Sequence, residues 1–154
     1  MTSPPALGHM ERALELARDA ASDGEVPVGA VIVGPDGAVL SAERNRMRAL
    51  NDPTAHAEVQ AIRAACAHLG QNRLTGCDLY VTLEPCAMCA AAISLARIRR
   101  LYYAASDPKG GGVEHGARVF SQATCHHKPE VYSGISDREA GVLLKAFFSE
   151  RRDG

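Results

Sequence analysis

Three observations predict an α/β protein in which a sheet is covered by helices. Apolar residues recur first at helical and then at alternating spacing, in the order helix, hairpin, helix, strand, helix, strand. The helices between the later strands have the length of crossovers that join parallel neighbours. Hydrophobic residues make up 46% of the chain and charged residues 23%, ordinary values for a packed globular domain.

Each element follows from its own residues. From His9 to Ser22, apolar Met10, Leu14, Ala17 and Ala21 fall on one side of a helix, with Glu11, Arg12, Glu15, Arg18 and Asp19 on the other, and Asp23-Gly24 ends it. Val28 to Val33 and Ala38 to Ala42 flank Gly34-Pro35-Asp36-Gly37, so they predict an antiparallel hairpin, and Val31 to Val33 is too apolar for a sheet edge. After Asn51-Asp52-Pro53, Thr54 is expected to cap a helix running to about His68, with Val59, Ile62, Ala65 and Cys66 as its buried stripe.

Leu79 to Leu83 predicts a short strand, broken by Glu84-Pro85 before helical periodicity resumes from Cys86 to Ile98. Arg100 to Ala104 is a further strand, Val131-Tyr132 pairs briefly, and Asp137 is expected to cap a closing helix through Phe147 and Phe148. The glycine-rich, polar stretch from Lys109 to Lys128 has no regular pattern.

A chain of 154 residues suits a single domain over residues 1–154. Its formal net charge of -1 excludes a global basic field, so a polyanionic partner must be held by a local cluster. No apolar run approaches the roughly 18 residues that span a bilayer. The N-terminal MTSPPALGHMERALELA lacks a basic region followed by an apolar core, so no membrane association and a cytoplasmic location are expected. Five cysteines, two of them in Cys86-Ala-Met-Cys89, suit a reducing compartment and a metal or catalytic role; Cys66 and Cys77 are expected as small buried hydrophobes.

The chemistry lies in TAHAEVQAI (Thr54 to Ile62) and YVTLEPCAMCAAAI (Tyr80 to Ile93). Cys86 and Cys89, three apart in a helix's first turn, project onto one face, and the helix N-terminus favours their thiolates. His56 holds the equivalent place on the preceding helix. One imidazole and two thiolates favour zinc, one ion per chain, and a three-ligand set leaves a position for water, the pattern of a catalytic site. Cys125, His126 and His127 are the rival ligands, but they sit in the irregular segment. Glu58, two residues beyond His56, is displaced around the helix and so is assigned to proton transfer rather than ligation.

This combination, His56-Ala-Glu58 with Pro85-Cys86-Ala-Met-Cys89, resembles the zinc-dependent nucleoside and nucleobase deaminases, whose His-x-Glu and Pro-Cys-x-x-Cys signature is a described pattern. EVPVGAVIV (Glu25 to Val33), NDPTAHAE (Asn51 to Glu58) and LYVTLEPCAMC (Leu79 to Cys89) are most similar to the bacterial branch that deaminates the wobble adenosine of a tRNA anticodon to inosine. The resemblance implies a three-layer α/β/α cytidine-deaminase-like fold with a central mixed sheet of about five strands, a zinc ion and a homodimer. It further implies that Asn45 and the Ala57 backbone read the base and that Leu83 lines the pocket mouth. Asp107 and Lys109 would grip neighbouring nucleotides, Phe148 would contact the anticodon loop, and Lys109, Lys145, Arg151 and Arg152 would meet phosphates.

The chain departs from better-known members of that branch between Gly110 and Tyr132. Two other functions compete: a deaminase of a free nucleobase or nucleotide (guanine, cytosine or deoxycytidylate), and a non-catalytic zinc module. Glu58 beside a three-ligand site argues against the second, since a structural site gains nothing from a proton carrier.

Overall fold

The computed structural model describes residues 4–153, with side chains described for 6–151. The elements are α1 (Pro4–Ser22), β1 (Gly29–Val33), β2 (Val39–Arg44), α2 (Ala57–Leu69), β3 (Asp78–Leu83), α3 (Ala87–Ala96), β4 (Arg100–Ala105), a short 3-10 turn (Val119–Ser121), β5 (Glu130–Ser133) and α4 (Asp137–Asp153). The strands form one mixed sheet in the order β2-β1-β3-β4-β5. β1 is antiparallel to both β2 and β3, whereas β3, β4 and β5 are parallel. As its apolar run predicts, β1 is an interior strand.

Strand periodicity sends alternate residues to opposite faces. Ala30, Ile32, Leu79, Val81, Leu101 and Tyr103 pack with α2 and α3, while Val31, Val33, Tyr80 and Ala104 pack with α1 and α4. The result is the three-layer α/β/α sandwich that the resemblance implies. Tyr80, Tyr102 and Tyr132 are register partners on β3, β4 and β5 and stack at ring-centroid distances of 4.5 and 5.1 Å, tying the short edge strand to the sheet. Gly29 lets α1 approach β1 closely: a Cβ there would lie 2.0 Å from the Ala13 carbonyl oxygen. No helix among the described residues is long and apolar enough to cross a membrane.

Three expectations are corrected. Thr54 does not cap α2; its N–H and hydroxyl both donate to Asp52 Oδ1, at 2.8 and 2.7 Å, and His56 occupies the cap position instead. The buried stripe of α2 is Ala57, Glu58, Ala61 and Ala65, while Val59 and Ile62 are half-buried. Small residues face inward because α2 lies close on the sheet, where the buried Ser41 hydroxyl donates to the Ala61 carbonyl at 2.8 Å. Cys77 is buried as expected, but Cys66 is only partly so. A fourth is corrected by one position: Asp137, expected as the cap of the closing helix, is the first residue of α4.

Candidate metal and deamination site

The site forms where the N-termini of α2 and α3 meet beside the end of β3. The residues at the two cap positions have extended backbone, His56 at φ -73 and ψ 152 and Cys86 at φ -71 and ψ 176, and neither side chain caps its helix. Both side chains turn toward each other. His56 Nδ1 lies 3.7 Å from Cys86 Sγ and 3.5 Å from Cys89 Sγ, and the three ligand atoms all fall within 4.8 Å of one another. Tetrahedral zinc, with bonds near 2.0 Å to nitrogen and 2.3 Å to sulfur, requires a nitrogen–sulfur separation of about 3.6 Å. The donor set therefore fits zinc in both chemistry and spacing.

The electrostatics support the same use. The hydrogen bond from Cys89, reinforced by His56, draws the Cys86 thiol down to about 4, and the thiolate is the ligand form. Cys89 is pushed the other way by that hydrogen bond and by burial, and His56 is raised by its contact with Cys86. Glu58, outside the ligand group, is almost wholly buried and hydrogen-bonds Cys89. Burial, aided by the Cys86 charge, pushes its carboxyl up to about 7, where a carboxylate can both take and return a proton near neutral pH.

The α2 N-terminus is secured from outside the helix. The buried Asn45, directly after β2, accepts the Ala57 N–H at 2.7 Å through Oδ1 and donates through Nδ2 to the Val26 carbonyl at 3.1 Å. Asn45 thus supplies the cap that His56 and Thr54 do not, and the Ala57 N–H is engaged within the protein. Two buried carboxylates that carried no assignment from the sequence hold the flanking loops. Glu25 accepts the backbone N–H of Arg48 and Ala49 at 2.9 to 3.1 Å, and Glu84 accepts donors from residues 107 to 115. An acidic residue flanking an apolar strand run was the signal available for both, since such a group, once buried, demands compensating donors.

The other predicted residues lie outside the ligand group. Leu83 is half-buried at the end of β3, and Asp107 opens the loop after β4, accepting the Gly110 N–H at 3.0 Å. Lys109 is exposed in that loop. Phe148, on α4, is 48% exposed and stacks on Phe147, over which the Arg151 guanidinium sits at 4.6 Å. The Arg152 side chain lies outside the described residues. Cys125 and His127 are not in the ligand group: Ser94 donates to the His127 carbonyl at 2.7 Å, and the His127 ring is 2.7 Å from the Ile98 carbonyl, fastening this loop to the end of α3.

Residues 6–105 match the family described as the cytidine and deoxycytidylate deaminase zinc-binding region, and the chain belongs to that family. Within it, the chain is 63% identical over 143 residues to a tRNA-specific adenosine deaminase of Agrobacterium fabrum, covering 93% of each chain. A solved structure from biochemical and structural studies of A-to-I editing by tRNA:A34 deaminases at the wobble position of transfer RNA matches with a TM-score of 0.87 and 63% identity, over 89% of this chain and 99% of that one. A guanine deaminase from Nitrosomonas europaea matches with a TM-score of 0.79 but 25% identity, over 97% and 86% of the two chains.

Proposed function

We propose that this chain is a zinc-dependent hydrolase that converts adenosine to inosine at the wobble position of a tRNA anticodon, releasing ammonia. The observation that carries the reading is the buried Glu58 carboxyl beside a three-ligand His56, Cys86 and Cys89 cluster. Its support against a guanine-specific reading is the 63% identity over 93% of the chain to a tRNA-specific adenosine deaminase, set against 25% to the Nitrosomonas guanine enzyme and 46% over only 64% of the chain to a guanine deaminase from Bacillus subtilis.

His56, Cys86 and Cys89 would hold one zinc ion, whose chemistry is to lower the pKa of a water molecule toward neutrality. Glu58 takes one proton from the attacking water and delivers it to a purine ring nitrogen, then takes the remaining proton of the added hydroxyl and delivers it to the amine, which leaves as ammonia. Asn45 and the Ala57 segment orient the base, Asn45 through the hydrogen-bonding capacity its amide retains beyond the two protein contacts. Leu83 shapes the pocket mouth. Asp107 and Lys109 engage nucleotides beside the flipped adenosine, and Phe148 with Arg151 meets the anticodon loop. Single-stranded loops suit this arrangement because their bases are already free to splay outward.

The whole chain is one deaminase domain acting in the cytoplasm as a homodimer. The dimer reading is supported by the outer face of α3, where Leu95 is 78% exposed between two grooves of about 370 and 260 Å³. Half-buried Val59 and Ile62 of α2 line the second groove. The decisive experiment incubates purified enzyme with an anticodon stem-loop carrying wobble adenosine, beside free adenosine, cytidine and guanine. Inosine in the stem-loop alone is the expected result; efficient turnover of guanine alone would overturn it.

A further inference from the structure

Glu84 directly follows β3 and precedes Pro85-Cys86, so the turn that delivers Cys86 to the α3 cap position also carries a carboxylate pointing the other way. That side chain has no solvent exposure. Its Oε1 accepts the Asp107 N–H at 3.0 Å and lies 2.8 Å from His115 Nδ1, and its Oε2 accepts the N–H groups of Val113, Glu114 and His115 at 3.2, 2.9 and 3.1 Å. A carboxylate has about four acceptor sites, so these five donors occupy it fully. The segment is pressed onto the same turn by its backbone: Gly112 donates to the Pro85 carbonyl at 2.8 Å. A Cβ at Gly111 would come within 2.4 Å of Glu84 Oε2, and one at Gly112 within 2.5 Å of the Ala87 nitrogen.

We propose that Glu84 is a positioning residue for the substrate-gripping loop: it gathers the backbone of residues 107 to 115 around one buried carboxylate and thereby fixes where Asp107 and Lys109 stand relative to the Cys86 end of the pocket. This rests on the tRNA-deaminase reading for the role of Asp107 and Lys109, but the hold on the loop does not. Residues 107 to 115, which form neither helix nor strand, are ordered by an anion instead. Holding a flexible loop in advance of binding removes an entropic cost that each substrate would otherwise meet. His115 adds a side-chain donor from within the same loop, closing the ring of contacts on its half-exposed side.

Glu84→Gln tests this with almost no change in shape. Whichever way the amide is turned, its NH2 faces hydrogen-bond donors, so part of the ring must open. In the zinc-loaded enzyme, amide exchange at Asp107, Val113, Glu114 and His115 should accelerate at least about tenfold while zinc content and the exchange of β3 and α2 stay parental. KM for the stem-loop should rise about tenfold or more with kcat within about threefold, because the loop grips the substrate and does not touch the reacting atoms. His115→Ala, which leaves the four backbone donors in place, should show the same pattern more weakly.

Parental exchange together with parental KM in Glu84→Gln overturns the proposal. So does loss of zinc, or a fall confined to kcat, since either makes Glu84 a support for Cys86 instead. Should Glu84→Gln fail to fold, Gly111→Ala is read in its place, and a folded Gly111→Ala enzyme with parental exchange and KM overturns it equally. If the parent itself fails on the stem-loop, the function reading falls; exchange, which needs no substrate, and KM for the base that the parent does turn over then decide the role of Glu84.

Discussion

Asn45→Ala should destabilise the protein as well as slow it. Asn45 is 4% exposed and bridges two backbone groups: the Ala57 N–H at the start of α2 and the Val26 carbonyl before β1, which also accepts the Val28 N–H at 2.9 Å. The lost Ala57 hydrogen bond costs about 1 kcal/mol net and its buried N–H left without an acceptor adds about 1–3 kcal/mol, whereas the Val26 carbonyl keeps the Val28 N–H. The total is about 2–4 kcal/mol. A chain of 154 residues unfolds with an entropy near 2.1 cal/mol/K per residue, so each kcal/mol lowers Tm by about 3 °C and the variant should melt about 6–12 °C below the parent. Because Ala57 lies between His56 and Glu58, the loosened helix start should also impair turnover. Thermal melts followed by circular dichroism on zinc-loaded parent and variant decide the matter: a Tm within about 2 °C of the parent would refute the bridging role and leave Asn45 to the base alone.

Cys89→Ala should purify with less than one zinc per chain, whereas Cys125→Ala should retain its metal; the reverse pattern in metal analysis would displace the ligand set. Glu58→Gln should keep fold and zinc but lose turnover by about 10²–10⁴ or more, and loss of zinc with it would move Glu58 into metal support. Leu95→Glu should convert dimer to monomer in sedimentation, and an unchanged mass would exclude the α3 face. Lys109→Ala with Arg151→Ala should weaken stem-loop binding at low salt and lower the salt slope by about 1.4, at roughly 0.7 per single-strand phosphate contact, whereas Asn45→Ala should leave that slope unchanged.

Much of the fold and of the metal cluster was legible in the chain because it is written at short range. The alternation of Ala30, Val31, Ile32 and Val33 assigns two faces to β1 without reference to any other strand, and the three-residue step from Cys86 to Cys89 puts two sulfurs on one side of a helix start. His56 joined them through a described family signature, and the three ligand atoms do converge. What tertiary structure decided is how groups far apart in sequence satisfy one another. Val59 and Ile62 outrank Ala61 in apolarity, yet the close approach of α2 to the sheet leaves room inside only for the smaller side chain. Thr54 has the residue type of a helix cap, yet Asp52 engages it and Asn45 reaches across 12 positions to serve the helix. Glu84 reads locally as the end of a strand; its donors arrive from 23 to 31 positions later, only because β3 and β4 are parallel and return the chain to the same end of the sheet. A pattern within one element is set by the geometry of that element, whereas the partner of a buried polar group is whichever donor or acceptor the packed layers bring within 3 Å or so, and no window of sequence contains that distance.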